Sequence, residues 1–393
     1  MRIRTSSGQA GFLGYCANVH PGESLDDVLT GVRQYARGVR ADLGASELSL
    51  GLWLSRASLS AIEHQGTDDL RGALAEAGLF VVTLNGFPYG NFHAEVVKRA
   101  VYRPDLTSDA RRHYLLVLAR VLSQLLPADA AEGTISTLPI GHVDELPAGA
   151  VERAAEQLCR LSEELARLAD RTGKPVRICL EPEPGCALET TPQAIHFFTH
   201  ELPRAAARTG TSKGLLATHL GVCYDTCHQA VAFEDAAASI EALTSAGVPI
   251  GKAQLSSALE LSNPSSEEAR AELLSFSEPR FLHQARARRG EGRLAAVDDL
   301  PDVTALPQDC PWRVHFHVPI HRPLVGSITT TRRFLEDALA AFLRLPRLPQ
   351  LEVETYTWSV LPARERPNNA EELVRGLADE IRWAQGVLVC PVS

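Results

Sequence analysis

The chain has 393 residues, 45% of them hydrophobic and 22% charged, and a formal net charge of −9. That composition excludes a disordered or fibrous chain and supplies enough apolar surface for a large core. The acidic balance, with no long Lys/Arg block, argues against a nucleic-acid partner, and no apolar run is long enough to span a bilayer.

In chain order, the N-terminal stretch carries basic residues without an apolar segment behind them, so it does not read as a secretory signal. A first strand is predicted over 12–20 and a helix over 24–43, with Ser24 as its cap. A second strand follows at 48–55, a helix at 57–77 stopped by Gly78, and an almost wholly apolar third strand at 79–86. The segment 87–105 is too long and too aromatic for a plain connector, and long loops at strand ends are often functional. A helix over 109–126 leads to a weak fourth strand, 133–141. The clearest helix, 149–172, leads to a fifth strand, 176–185, and Thr191-Pro192 opens a helix through about 206. The sixth strand, 220–225, is followed by a helical pattern from 233 to 246. The seventh is 250–258. Residues 259–311 read as irregular, a long insertion without a clear strand. The strand-like run 312–320 belongs with this loop region. A helix over 330–343, a last strand over 351–358 and a helix capped by Asn369 complete the chain.

Strand and helix alternate throughout, which means parallel βαβ units. Setting 312–320 aside leaves eight strands, the number of a closed (β/α)₈ TIM barrel formed by 1–393 as one domain, with 259–311 as an insertion after the seventh strand. An open doubly wound sheet is the other arrangement of such units, but no G-x-G-x-x-G follows the first strand. The eight cysteines are scattered, most of them in apolar runs. They read as small hydrophobes in a reduced, cytoplasmic protein rather than as a disulfide framework. Cys223 and Cys227, the one close pair, are poorly placed for a zinc knuckle.

A parallel barrel works at the C-terminal ends of its strands. There the chain has Asn18 and His20, Asn85, Glu181 and Glu183, Asp225 with His228, Lys252 and Gln254, His315 and His317, and Glu352 and Glu354 with Tyr356. Singly, each has an ordinary explanation: a helix cap, a salt bridge at the barrel bottom, a half-exposed strand. Together they put acids and imidazoles where apolar side chains belong. Converging carboxylates repel unless a cation sits among them, and an O/N donor set suits manganese, magnesium, zinc or iron. His20, Asn85 and His93 are expected at the rim of the same cavity as Asp225, from their places at or just after the first and third strands.

LEPEPG, YDTCH and LEVET, in this order at strand ends, resemble the xylose-isomerase-like barrel superfamily, which holds sugar isomerases, epimerases and the endonuclease IV type of DNA-repair enzyme. D-T-C-H resembles the endonuclease IV motif closely. Carried over by position, the resemblance implies divalent-metal ligands Glu181, Asp225 and Glu354. Gln254 stands at the seventh-strand position, where His is usual, and His317 is placed to take over from it. His228 becomes a second-metal ligand or a substrate contact. The resemblance also implies that Glu181 and Glu354 shuttle a proton, with His228 beside them; from their places at or near strand ends, His20, Asn85, His93, Glu183, His315 and Tyr356 are expected to contact the substrate.

A narrower resemblance covers nearly the whole chain. LGYCANVHPGES, LNGFPYGNFH, LEPEPGCALETT, GVCYDTCHQAVAFED, GKAQLSSAL, FLHQ, HFHVP and LEVETYTWSVLP together are similar to EboE, the barrel protein of bacterial clusters assigned to metabolite traffic. It implies a small secondary-metabolite precursor as ligand and other proteins of the same cluster as partners. Three functions follow: a metal-dependent isomerase or epimerase, a non-catalytic metabolite carrier or scaffold, and an endonuclease IV-like nuclease. Metal content separates the first two. The third needs a basic DNA-facing surface, against which the net charge counts.

Overall fold

The computed structural model describes residues 1–290, 294–324 and 326–389. The first strand, Ala10–Cys16, pairs in parallel with the second, Leu48–Trp53, and with the eighth, Gln350–Val353. Between these the sheet runs through the third (Leu79–Phe80 and Thr83–Asn85), fourth (Gly133–Thr137), fifth (Val176–Leu180), sixth (Leu220–Asp225) and seventh (Ile250–Leu255) strands. Every neighbouring pair is parallel. The sheet is therefore a closed (β/α)₈ barrel. Its strands are buried at almost every position, because helices cover the outside and side chains fill the inside.

The helix Ala150–Thr172 shows how the sequence dictates its wrapping. Ala154, Leu158, Leu161, Leu165 and Leu168 form one buried stripe at helical spacing, and Gly173, at φ 74°, ends it in the left-handed conformation. Other elements differ from the sequence reading. The helix expected over 57–77 is two, Arg56–Gln65 and Asp68–Glu76, because Gly66 takes φ 85° between them. A helix at Lys213–His219, capped by Ser212, precedes the sixth strand and was not expected. The helical stretch after Asp225 starts earlier than position 233. Thr226–Val231 is already helical, capped by the Asp225 carboxylate, and Phe233 at φ 56° separates it from Ala236–Ser245.

The largest difference lies in the insertion. It is ordered as an antiparallel sheet of five short strands, in the order Ala295–Val297, Ala285–Ala287, Trp312–Val314, Leu259–Leu261, Thr329–Thr330, with a helix at Glu267–Leu274. It thus extends beyond residue 311, to the point where Arg332–Phe342 resumes the barrel's outer layer. Strands of two or three residues are too short for a period-2 pattern to register. Trp312 and Val314 from this sheet, and Phe316 just after it, are buried in the same apolar core as the barrel side chains. After Val314 the chain leaves the strand, and His315 and His317 follow within three residues.

Candidate metal centre

Parallel register places the polar side chains. Asp225 lies opposite Gln254, and Gln254 opposite Glu352. Lys252, one alternation below Gln254, shares its face. Its Nζ lies 2.6 Å from Glu352 Oε2 and 3.3 Å from Ser136 Oγ, fully buried. Gly51 leaves the room, since a Cβ there would collide with the Glu352 carboxylate. Burial works against the Lys252 ammonium, but its neighbours, Glu352 foremost, together outweigh it and raise its pKa. Glu352 is therefore occupied inside the barrel, and the last strand offers the site Glu354.

Carboxylate oxygens of Glu181, Asp225 and Glu354 lie within 4.8 Å of one another, all three residues buried. Asp225 Oδ1 accepts from the N–H groups of Cys227 (2.7 Å) and His228 (3.0 Å) and from Ser256 Oγ (2.8 Å). Glu354 Oε1 accepts from Asn18 Nδ2 (2.8 Å) and Asn85 Nδ2 (2.9 Å). These bonds fix Asp225 and Glu354 through one oxygen each. Asp225 Oδ2, Glu181 Oε2 and both amide atoms of Gln254 are buried without a hydrogen-bond partner among the described residues. Native proteins rarely leave such groups orphaned, because each costs about 1–3 kcal/mol. Burial, then the Glu354 and Asp225 charges, push the Glu181 carboxyl well above its usual range; burial, then Asp225, do the same to Glu354. A divalent cation among these oxygens would satisfy the orphans and offset the repulsion at once, so the residues present fit one.

Three imidazoles stand beside the acids in one pattern. His228 Nδ1 donates to Pro182 O (3.0 Å), His317 Nδ1 to Glu354 O (2.8 Å) and His315 Nδ1 to Gln284 Oε1 (2.7 Å). A carbonyl oxygen only accepts, so each Nδ1 bears the proton of the neutral ring and each Nε2 presents a lone pair. The Nε2 atoms of His228 and His315 face each other at 3.1 Å, and that of His317 has no partner and lies 4.0 Å from Asp225 Oδ2. Tyr356 Oη is a distant partner of His315 Nε2 at 3.5 Å, and a cation beside the Nε2 atoms of His228 and His315 would take both lone pairs. Imidazoles anchored through the opposite nitrogen are the usual form of metal-ligating histidine. Burial lowers His228 to about 4, His315 well below its ordinary value, and His317 in the same direction, which keeps all three neutral. The trios Asp225–His228–His317 and Glu183–His228–His315 give a second candidate position next to the first. Cys227 joins His315 and His317 in a third trio, although burial holds its thiol protonated; Cys223 has no such place.

The remaining expected contacts divide. Asn85, Glu183, His315 and Tyr356 line the open cavity above the acids. Glu183 Oε1 accepts from Tyr102 Oη (2.7 Å), and burial pushes its carboxyl up to about 8. His20 does not line this cavity. Its Nε2 is 3.0 Å from Tyr15 Oη and its ring stacks on Tyr35 at 4.5 Å, because the turn after the first strand folds it back into the wall. His93 also stays outside the lining: its Nε2 bonds the Asn18 carbonyl at 2.9 Å, and it supports the loop from behind. The residue list drawn from the sequence lacked Asn18, Tyr102, Ser256 and Gln284. Asn18 was visible at a strand end and Gln284 within FLHQ, but only the tertiary contact gives them a role.

No family model matches the chain, and no curated protein matches it. Among solved structures it is similar to the IolI protein with a binding zinc atom, at 11% identity and a TM-score of 0.48 over 96% of this chain and 99% of that one. A xylose isomerase-like TIM barrel protein from Mycobacterium smegmatis in complex with magnesium gives 12% identity and a TM-score of 0.47, covering 98% of this chain and 100% of that one. An AP endonuclease of family 2 from Brucella melitensis gives 16% identity and 0.38, over 62% and 78% of the two chains. Likenesses of this size assign no activity to the chain.

Proposed function

We propose that the protein is a divalent-metal-dependent isomerase or epimerase of the xylose-isomerase-like kind, acting on a small carbonyl or hydroxy-carbonyl metabolite. The observation that carries this reading is the convergence of Glu181, Asp225 and Glu354, with orphaned oxygens on the first two, beside three neutral imidazoles aimed the same way. Glu181, Asp225, Gln254 and Glu354 would hold one cation, and His228, His315 and His317 a second. A bound divalent cation polarises a carbonyl oxygen and makes the adjacent C–H acidic. The Glu181 carboxylate would take up that proton. Glu354, clamped by Asn18 and Asn85, is the second, facing it. The motifs similar to EboE extend the proposal: the metabolite is a secondary-metabolite precursor handled with partner proteins of the same cluster.

The carrier reading keeps the cavity and drops the proton transfer; Gln254, a weaker ligand than imidazole, is what favours it. A nuclease is disfavoured because the cation in the cavity lining, Lys98, is already paired with Asp299 at 2.6 Å. Elemental analysis of purified protein tests the proposal. Stoichiometric divalent metal, lost in the Glu181→Gln, Asp225→Asn double variant, is the expected result. Protein that neither contains nor takes up metal overturns it. Deuterium exchange from heavy water into α-hydroxy-carbonyl probes separates the enzyme from the carrier, which promotes none.

A further inference from the structure

The cavity has two halves of opposite character. Its floor is the acid and imidazole cluster. Its wall is mostly carbon: Phe87, Phe92, Val97, Val101, Phe281 and the ring of Tyr356, whose hydroxyl lies 3.5 Å from His315 Nε2 on the floor. Phe92, Val97 and Phe281, with Trp53, form an apolar cluster separate from the barrel core, against which Val101 and Tyr356 pack. Ring centroids are 5.1 Å apart for Phe92 and Phe281, 5.4 Å for Phe92 and Tyr356, and 5.0 Å for Phe281 and Tyr356. Three separate loops contribute: the one after the third strand, the insertion, and the one after the eighth strand.

The polar groups in this half are already engaged. Lys98 Nζ is held by Asp299 (2.6 Å) and the Glu278 carbonyl (3.3 Å), and Tyr102 Oη donates to Glu183 (2.7 Å). A free sugar could stack a C–H face on these rings, but its hydroxyl rim would meet carbon, and unpaired buried hydroxyls are costly.

We infer that the ligand is an amphiphile, in which an oxygen-bearing head (a hydroxy-carbonyl or vicinal diol) is joined to an apolar body the size of an aromatic ring. The head rests on the metal-centre reading above; the body rests on the wall alone.

Two probe pairs test the two parts separately. On zinc-loaded protein, benzohydroxamate and acetohydroxamate carry the same chelating head with and without a ring. Calorimetry should show the first binding about tenfold tighter or more, since burying a ring against carbon is worth at least that factor. Phe281→Ala, and independently the milder Val101→Ser, should shrink the ratio. On chelator-treated protein, 2-naphthol should bind where D-fructose at the same concentration does not. Equal hydroxamate affinities, or fructose binding as tightly as naphthol, overturn the inference. If the protein takes up no zinc, the metal reading fails and the naphthol–fructose pair alone decides the body.

Discussion

At the scale of single residues, Asp225 and Glu354 are each fixed to the wall through one carboxylate oxygen. Asp225 does this through its own helix: its Oδ1 caps Thr226–Val231 and its Oδ2 is left to the site. Gln254 is the weak member, because a neutral amide binds a cation less well than imidazole. Gln254→His should raise zinc affinity about tenfold in calorimetry. No gain would show that Gln254 stands outside the coordination sphere. Beneath it, Lys252 and Glu352 are a fully buried ion pair. Lys252→Met strands a carboxylate and should destabilise the protein by about 3–5 kcal/mol in denaturant unfolding, whereas Lys252→Met with Glu352→Leu should recover most of that. A double variant as unstable as the single one would mean that the pair does more than neutralise itself.

At the scale of elements, the loop after the third strand and the insertion close over the cavity as a strap. The N–H groups of Val97 and Lys98 both donate to the Arg280 carbonyl at 2.8 Å, and Lys98 reaches on to Asp299. Asp299 Oδ1 also accepts from the N–H groups of His283 and Leu300, so Asp299→Asn keeps the turn and weakens the ion pair. A half-buried pair of this kind is worth about 1 kcal/mol or less. Hydrogen exchange at Val97 and Lys98 should accordingly quicken several-fold in Asp299→Asn, with no change at the barrel strands. Unchanged exchange would place the closure in the backbone bonds alone.

At the scale of the molecule, the last helix, Ala370–Val389, fastens the mouth to the barrel through one buried acid. Glu380 accepts from the Ile320 N–H (3.1 Å), Thr355 Oγ1 (2.6 Å) and Trp358 Nε1 (3.2 Å). Burial pushes its carboxyl from 4.5 up to about 7. A carboxyl with a raised folded pKa binds more protons folded than unfolded between those values, so ionisation costs stability as pH rises. The stabilising effect of the neutral acid is complete below about 4.5 and lost by about 7, a change of about 3 kcal/mol. Glu380→Gln should flatten that part of the stability–pH curve relative to wild type in thermal unfolding at pH 5 and 7. Parallel curves would show the acid ionised throughout.

Alternation of apolar runs with amphipathic helices was enough to determine the barrel, because a strand covered on both faces must be apolar throughout and only parallel βαβ units repeat that way. The acids at strand ends were legible for the same reason: Glu181, Asp225 and Glu354 interrupt runs that should be apolar. Two things were decided only in three dimensions. The strands of the insertion are too short to leave a periodic trace, so its order, and with it the positions of Phe281, Gln284, His315 and His317, comes from pairing between distant segments. Direction was also illegible. His20 and Asn85 both end strands, yet one folds back onto Tyr15 and the other bonds Glu354, a choice made by the local turn and the neighbouring strand rather than by residue type.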